Sequence, residues 1–282
     1  MSSIPDTVDL RDALWPVEDI GQIPASAASA AATALEYHCN RMGEPPTNLS
    51  TAFIHYNARL ATGQQETNTG TTLEAALNAI SAHGACRHES WPLDAARITT
   101  KPGAQAYDEA KKFTKIRCLN PGDMIEALAL RYPVPITASV PARCLEEAGR
   151  TGMMPVPTTE EMRAGGALVN HALVLVGYDK RTKTFTARNC WGTQWGREGH
   201  CAIPFDLMNV MAPYGSSRVW IIATPAPSDA AADETAPATP PESGRLSDLA
   251  GKMRDEIRAD LRRDLDDAAR RIRDMVKKPG QP

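Results

Sequence analysis

Apolar and polar positions change their rhythm along this chain of 282 residues. Ala25 to Cys39 is Ala-rich with few breakers, which predicts a helix with Ser26 or Ser29 at its start. Thr72 to His83 predicts a second helix, bounded by Gly70 and Gly84. Later runs are shorter and apolar or alternating. Val134–Val140, His171–Tyr178 and Thr184–Asn189 predict strands, with the polar Lys180-Arg181-Thr182-Lys183 as a hairpin tip. Helices first and strands second make an α+β arrangement, a helical lobe followed by a sheet lobe.

Past residue 224 the rhythm breaks. Residues 225–244 are rich in Ala, Pro, Thr and acids and hold no large apolar residue. Burial cannot offset the ordering entropy of such a stretch, so a semi-extended linker is expected. Over 245–278, Leu246, Leu249, Met253, Ile257, Leu261, Leu265, Ala268, Ile272 and Met275 recur at steps of three or four. That spacing places them on one face of an amphipathic helix, which Pro279-Gly280 ends. Three segments are therefore expected: a globular domain over 1–224, a linker over 225–244 and a helix over 245–278. The steps exceed a heptad average, so a left-handed coiled coil is not clearly specified. The stripe calls for a protein partner: its own domain, a second copy or another protein. A membrane surface fits less well, because acids are interspersed with the Arg residues.

Composition narrows the function classes. Hydrophobic residues make up 42%, enough for a sizeable core. The formal net charge of −3 gives no bulk case for nucleic acid. No apolar run approaches the ~20 residues of a membrane span. Met1–Asp6 has neither the basic region nor the apolar core of a secretory signal, so the cytoplasm is the default expectation. A virion or signal-independent export stays open. The six cysteines are scattered without a Cys-x-x-Cys pair and read as reduced, buried thiols. His38-Cys39, Cys86-Arg87-His88 and His200-Cys201 lack the paired spacing of structural zinc. No metal or cofactor is expected.

The segments that carry chemistry are Asp19-Ile20-Gly21-Gln22-Ile23-Pro24-Ala25-Ser26-Ala27, the strand opened by His171, and Asn189-Cys190-Trp191-Gly192-Thr193-Gln194-Trp195-Gly196-Arg197-Glu198-Gly199-His200. To these add Val8-Asp9-Leu10-Arg11 with Trp15-Pro16-Val17, Leu49-Ser50-Thr51-Ala52, and Glu89-Ser90-Trp91-Pro92-Leu93. From Val8 to about Ile222 the chain resembles the papain-like (C1) cysteine peptidases, especially compact bacterial members. The most specific match is the Asn189 segment, whose family form is Asn-Ser-Trp-Gly-x-x-Trp-Gly-x-x-Gly-Tyr. The resemblance implies two lobes, helical and barrel-like, with an extended peptide bound in the cleft between them.

The family's chemistry uses a thiolate nucleophile and a His that pairs with it and later protonates the leaving amine. An Asn orients the His, and a Gln with the nucleophile's own N–H stabilises the oxyanion. By position, His171 and Asn189 match the His and Asn, and Trp191 with Gly192 matches the pair that supports them. Ser26 stands where the resemblance asks for Cys, and Ile20 where it asks for the oxyanion Gln. Pro24 replaces a Gly, fixing φ and removing an N–H. Gln22 is a conceivable substitute donor at the wrong spacing. Cys144, expected in a loop before the His strand, is the least excluded replacement nucleophile.

The resemblance therefore implies a pseudopeptidase that serves as a peptide- or protein-binding module with a C-terminal helical tether. The alternative is a cysteine endopeptidase captured as an inactive Cys-to-Ser variant. That alternative accounts for Ser26 and not for Ile20, Pro24 and Ala27. A serine hydrolase using Ser26 and His171 is a third option and needs another oxyanion hole.

Overall fold

The computed structural model describes residues 4–41, 47–113, 117–119, 124–163, 168–211 and 221–223. The predicted linker and C-terminal helix lie outside them. Pro5–Pro225 cluster as one unit. Its elements in chain order are β1 (Thr7–Asp9), α1 (Ser26–Arg41), α2 (Thr51–Leu60), α3 (Leu73–His83), α4 (Ala104–Ala110), β2 (Arg117–Leu119), α5 (Met124–Ala129) and β3 (Val134–Pro141). Then follow α6 (Ala142–Thr151), α7 (Thr159–Arg163), β4 (Leu168–Asp179), β5 (Thr184–Arg188), β6 (His200–Pro204), α8 (Phe205–Met211) and β7 (Ile221–Ala223). This is an α+β fold.

The packing of α1 explains its alanines. Ala27, Ala28, Ala30, Ala31, Ala32 and Ala34 are all buried. The helix packs at once against α2, α3, β3 and β4. Larger side chains would hold those elements apart, and a close-packed interior tolerates no such gap. α2 and α3 start where side chains accept backbone N–H bonds. Ser50 Oγ takes the Phe53 N–H at 3.0 Å, and Thr72 Oγ1 takes the Ala75 N–H at 3.1 Å. α3 ends at Gly84, whose φ of +73° suits a residue without Cβ.

The main sheet is antiparallel, in the order β1-β4-β5-β6, with β3 also on β4. β4 is its centre. One edge pairs with β3 along Leu168–Leu175 and with β1 along Gly177–Asp179, and the opposite edge pairs with β5. Gly177 permits the β1 contact, since a Cβ there would lie 2.3 Å from the Val8 carbonyl oxygen. β2 and β7 form a separate antiparallel pair.

Some boundaries differ from expectation. His171 lies inside β4, which begins three residues earlier at Leu168. Ser29 lies within α1 and does not cap it. Cys144 lies in α6, not in a loop, and is buried. Gly149 and Gly152 disguise that helix in the sequence. β1 and β6 were not foreseen, being three and five residues long.

Candidate active site

Ser26 opens α1, and Ala172 follows His171 on β4. The Ala172 N–H donates to Ser26 Oγ at 3.2 Å, which joins the helix start to the strand. His171 and Asn189 meet directly, with Nε2 of the ring 2.7 Å from Asn189 Oδ1. The Asn189 amide is oriented by its neighbour, because Cys190 N–H donates to the same Oδ1 at 2.8 Å. That oxygen is therefore the acceptor for both, Nε2 carries the proton, and the lone pair of the neutral ring sits on Nδ1.

Trp191 lies over this pair. Its ring centroid is 4.3 Å from that of His171, and the Trp195 ring meets it in a T-shaped contact at 5.9 Å. Both His171 and Asn189 are buried. Burial lowers the His171 pKa, and the Asn189 bond only partly opposes this. The resting ring is neutral near pH 7. Gly192 turns the chain after Trp191 with φ +71°, and its N–H donates to Glu18 O at 3.0 Å. A Cβ at Gly192 would press on the Asp19 carboxylate at 3.2 Å.

Ile20 is 3% exposed and packs with Ala25, the residue before Ser26, and Cys190, so its apolar side chain is buried in a small cluster. Its N–H donates to Cys190 O at 3.0 Å, which fixes the loop to the segment carrying Asn189. Gln22 and Pro24 are exposed. Cys39, Cys86, Cys144, Cys190 and Cys201 are buried free thiols. Burial raises the pKa of Cys144 and Cys190, so neither is a ready thiolate.

A polar clamp behind the loop was invisible in the sequence. Glu18 Oε2 accepts from Ser29 Oγ of α1 at 2.9 Å and from Thr51 Oγ1 of α2 at 2.7 Å. Glu36 of α1 accepts the Leu49 N–H at 2.7 Å. Arg188, 5% exposed at the end of β5, donates to Pro16 O at 2.7 Å. These residues are scattered through the sequence and share no motif, and only Arg188, beside Asn189, offered any cue.

In front of Ser26 opens a cleft of about 820 Å³. One wall is Gly70–Glu74 with Thr62 and Gln64, and the other is Thr137 and Ser139 of β3 with Asn170 and Ala172 of β4. Arg59 supports the first wall from behind. It is fully buried and donates to the carbonyls of Thr67, His55 and Ile98, the last at 2.5 Å.

A helix start, a buried His–Asn pair under a Trp and a cleft between helices and sheet together define a cysteine-peptidase scaffold. The family model described as "Papain family cysteine protease" matches residues 4–211, and the chain belongs to that family. The uncharacterized peptidase C1-like protein L477 of Acanthamoeba polyphaga mimivirus is 28% identical over 223 residues, spanning 72% of this chain and 68% of the relative. Among solved structures, xylellain, a cysteine protease from Xylella fastidiosa, superposes with a TM-score of 0.70 at 24% identity, over 79% of this chain and 88% of that one. Digestive procathepsin L 3 of Tenebrio molitor larval midgut gives 0.60 at 19% identity, over 79% and 71%. At those identities the likeness is one of fold. Among the described residues no helix is long and apolar enough to cross a membrane.

Proposed function

We propose that the chain is a papain-family pseudopeptidase: it holds an extended peptide in the cleft between its helical and sheet halves and does not cut it. The predicted helix over 245–278 would then tether it to a protein partner or a second copy. The observation that carries this reading is the contrast within one site. His171, Asn189 and Trp191 keep a complete orienting arrangement, while Ser26 offers a hydroxyl and the buried Ile20 offers no donor. A serine hydroxyl is far harder to ionise than a thiol, and no side-chain donor at position 20 meets an oxyanion.

Covalent labelling with a peptidyl epoxide tests it. The unaltered protein should stay unlabelled, Ser26→Cys should label, and His171→Ala in that background should abolish labelling. Hydrolysis of fluorogenic peptides separates the alternative. Under the pseudopeptidase reading, adding Ile20→Gln to Ser26→Cys raises turnover by about 10²–10³. If Ser26→Cys alone cuts at an ordinary rate of about 10 s⁻¹, the chain is a peptidase lacking only its thiol. Turnover by the unaltered protein overturns the proposal outright.

A further inference from the structure

α1 is an alanine-rich helix with one polar stripe. Ser26, Ser29 and Thr33 recur at steps of three and four, which puts their hydroxyls on one side of it. Ser29 and Thr33 are buried, so the stripe runs from the cleft into the interior. Along it lies a small cavity of about 10 Å³, lined also by Arg188, Asn189 and Cys190. The rest of its wall is apolar and comes from α1 and β4. Ser26 is the one lining residue that is not fully buried, and it also lines the cleft.

Asn189 points to an occupant. It is 3% exposed. Its Oδ1 serves His171 and the Cys190 N–H, while Nδ2 has no hydrogen-bond partner among the described residues. A buried donor in that state bears its whole desolvation penalty, and native structures pair such groups with protein or with ordered water. Turning the amide round is no remedy, because Nδ2 would then face the Cys190 N–H, donor against donor. The cavity has about the size of one water molecule, which needs roughly 2–4 polar partners. Three are in the wall: Asn189 Nδ2 as donor, and the Ser29 and Thr33 hydroxyls as acceptors. Ser29 is free to accept because its own proton goes to Glu18 Oε2.

We propose that this cavity is a binding site for one resident water, which accepts from Asn189 Nδ2, donates to Ser29 and Thr33, and so holds the Asn189 amide facing His171. The water is a positioning group: it acts on the imidazole only through Asn189. The site does not depend on whether the chain cuts peptides.

NMR on the full isotope-labelled chain tests it, with two variants of Thr33. Thr33→Val keeps the shape and removes one acceptor, and Thr33→Ser keeps the hydroxyl. In the unaltered protein, the Asn189 side-chain amide protons should show cross-peaks to water with opposite signs in NOE and ROE spectra, the mark of a water that stays longer than the molecule tumbles. The His171 Nε2 proton should exchange slowly. In Thr33→Val the water cross-peaks should fade and that proton should exchange about two- to tenfold faster, the factor one hydrogen bond of ordinary net strength is worth. Thr33→Ser should restore both. If the Asn189 amide shows no water contact in the unaltered protein, the cavity is dry and the proposal falls. If the contact survives Thr33→Val unchanged, the α1 hydroxyls do not hold the water and the assigned site is wrong. If the contact is lost while His171 exchange stays the same, the positioning role is refuted.

Discussion

Glu36 gives the sharpest energetic test of the clamp behind the site. Its carboxyl is buried on α1, and burial pushes its pKa up from the ordinary 4.5 to about 8. The Leu49 N–H and the Arg188 charge pull the other way and do not prevail, and Glu18 pushes up further. The folded state thus keeps a proton that the unfolded chain releases once the pH exceeds 4.5. Stability contributed by this group is full below 4.5 and is lost as the pH rises to about 8. At about 1.36 kcal/mol per pH unit, the loss across that window approaches about 5 kcal/mol. Glu36→Gln keeps the size and the acceptor for Leu49 but has no proton to release. Urea unfolding of both proteins from pH 5 to pH 9 isolates the effect, because other titrating groups cancel in the difference. The stability of Glu36→Gln relative to the unaltered protein should climb with pH by about 3–5 kcal/mol. Parallel curves would show that Glu36 is ionised throughout and pairs with Arg188, and the reasoning would fail.

Three further outcomes follow from named contacts. Asn189→Ala removes the bond that raises the His171 pKa, so the imidazole titration followed by NMR should move further down, and an upward move would refute the assigned balance. Arg59→Met leaves the carbonyls of Thr67 and Ile98 unpaired, which should cost about 3–5 kcal/mol. Hydrogen exchange should also quicken across residues 62–72, and unchanged exchange there would count against Arg59 as support of the cleft wall. Gly177→Ala drives a Cβ into the Val8 carbonyl, so β1 should detach. Limited proteolysis near residues 4–10 should then precede global unfolding, and equal cutting in both proteins would argue otherwise.

Much of the site was legible because its parts are contiguous. Asn189 to His200 runs as one segment, and its glycines are demanded locally: Gly192, Gly196 and Gly199 all have positive φ. α3 was legible from Thr72 and Gly84, whose capping geometry is itself local. The clamp was not, because Glu18, Ser29, Glu36, Thr51 and Arg188 come from three parts of the chain and meet only through folding. α6 was missed because its apolar face is narrow, with Cys144, Leu145 and Ala148 buried and charges elsewhere. The start of β4 was set too late. Leu168–Asn170 owe their strand to pairing with β3, not to their own pattern.

The position of β1 has a consequence for how the chain is made. Tyr178 Oη donates to Pro5 O across 173 residues of sequence, and among the described strands β1 pairs only with β4. At about 5–20 residues per second of synthesis, the first strand waits roughly 10–30 s before its partner exists. α1 waits as well, since β4 is one of the surfaces it packs against. The helical half is therefore not a folding unit that the sheet half later joins. Cutting the chain between them would separate β1 from its strand and strip Ser26 of the Ala172 amide. The two halves of the site are spatial regions woven from both ends of the sequence, and folding must close the longest loop to make either one.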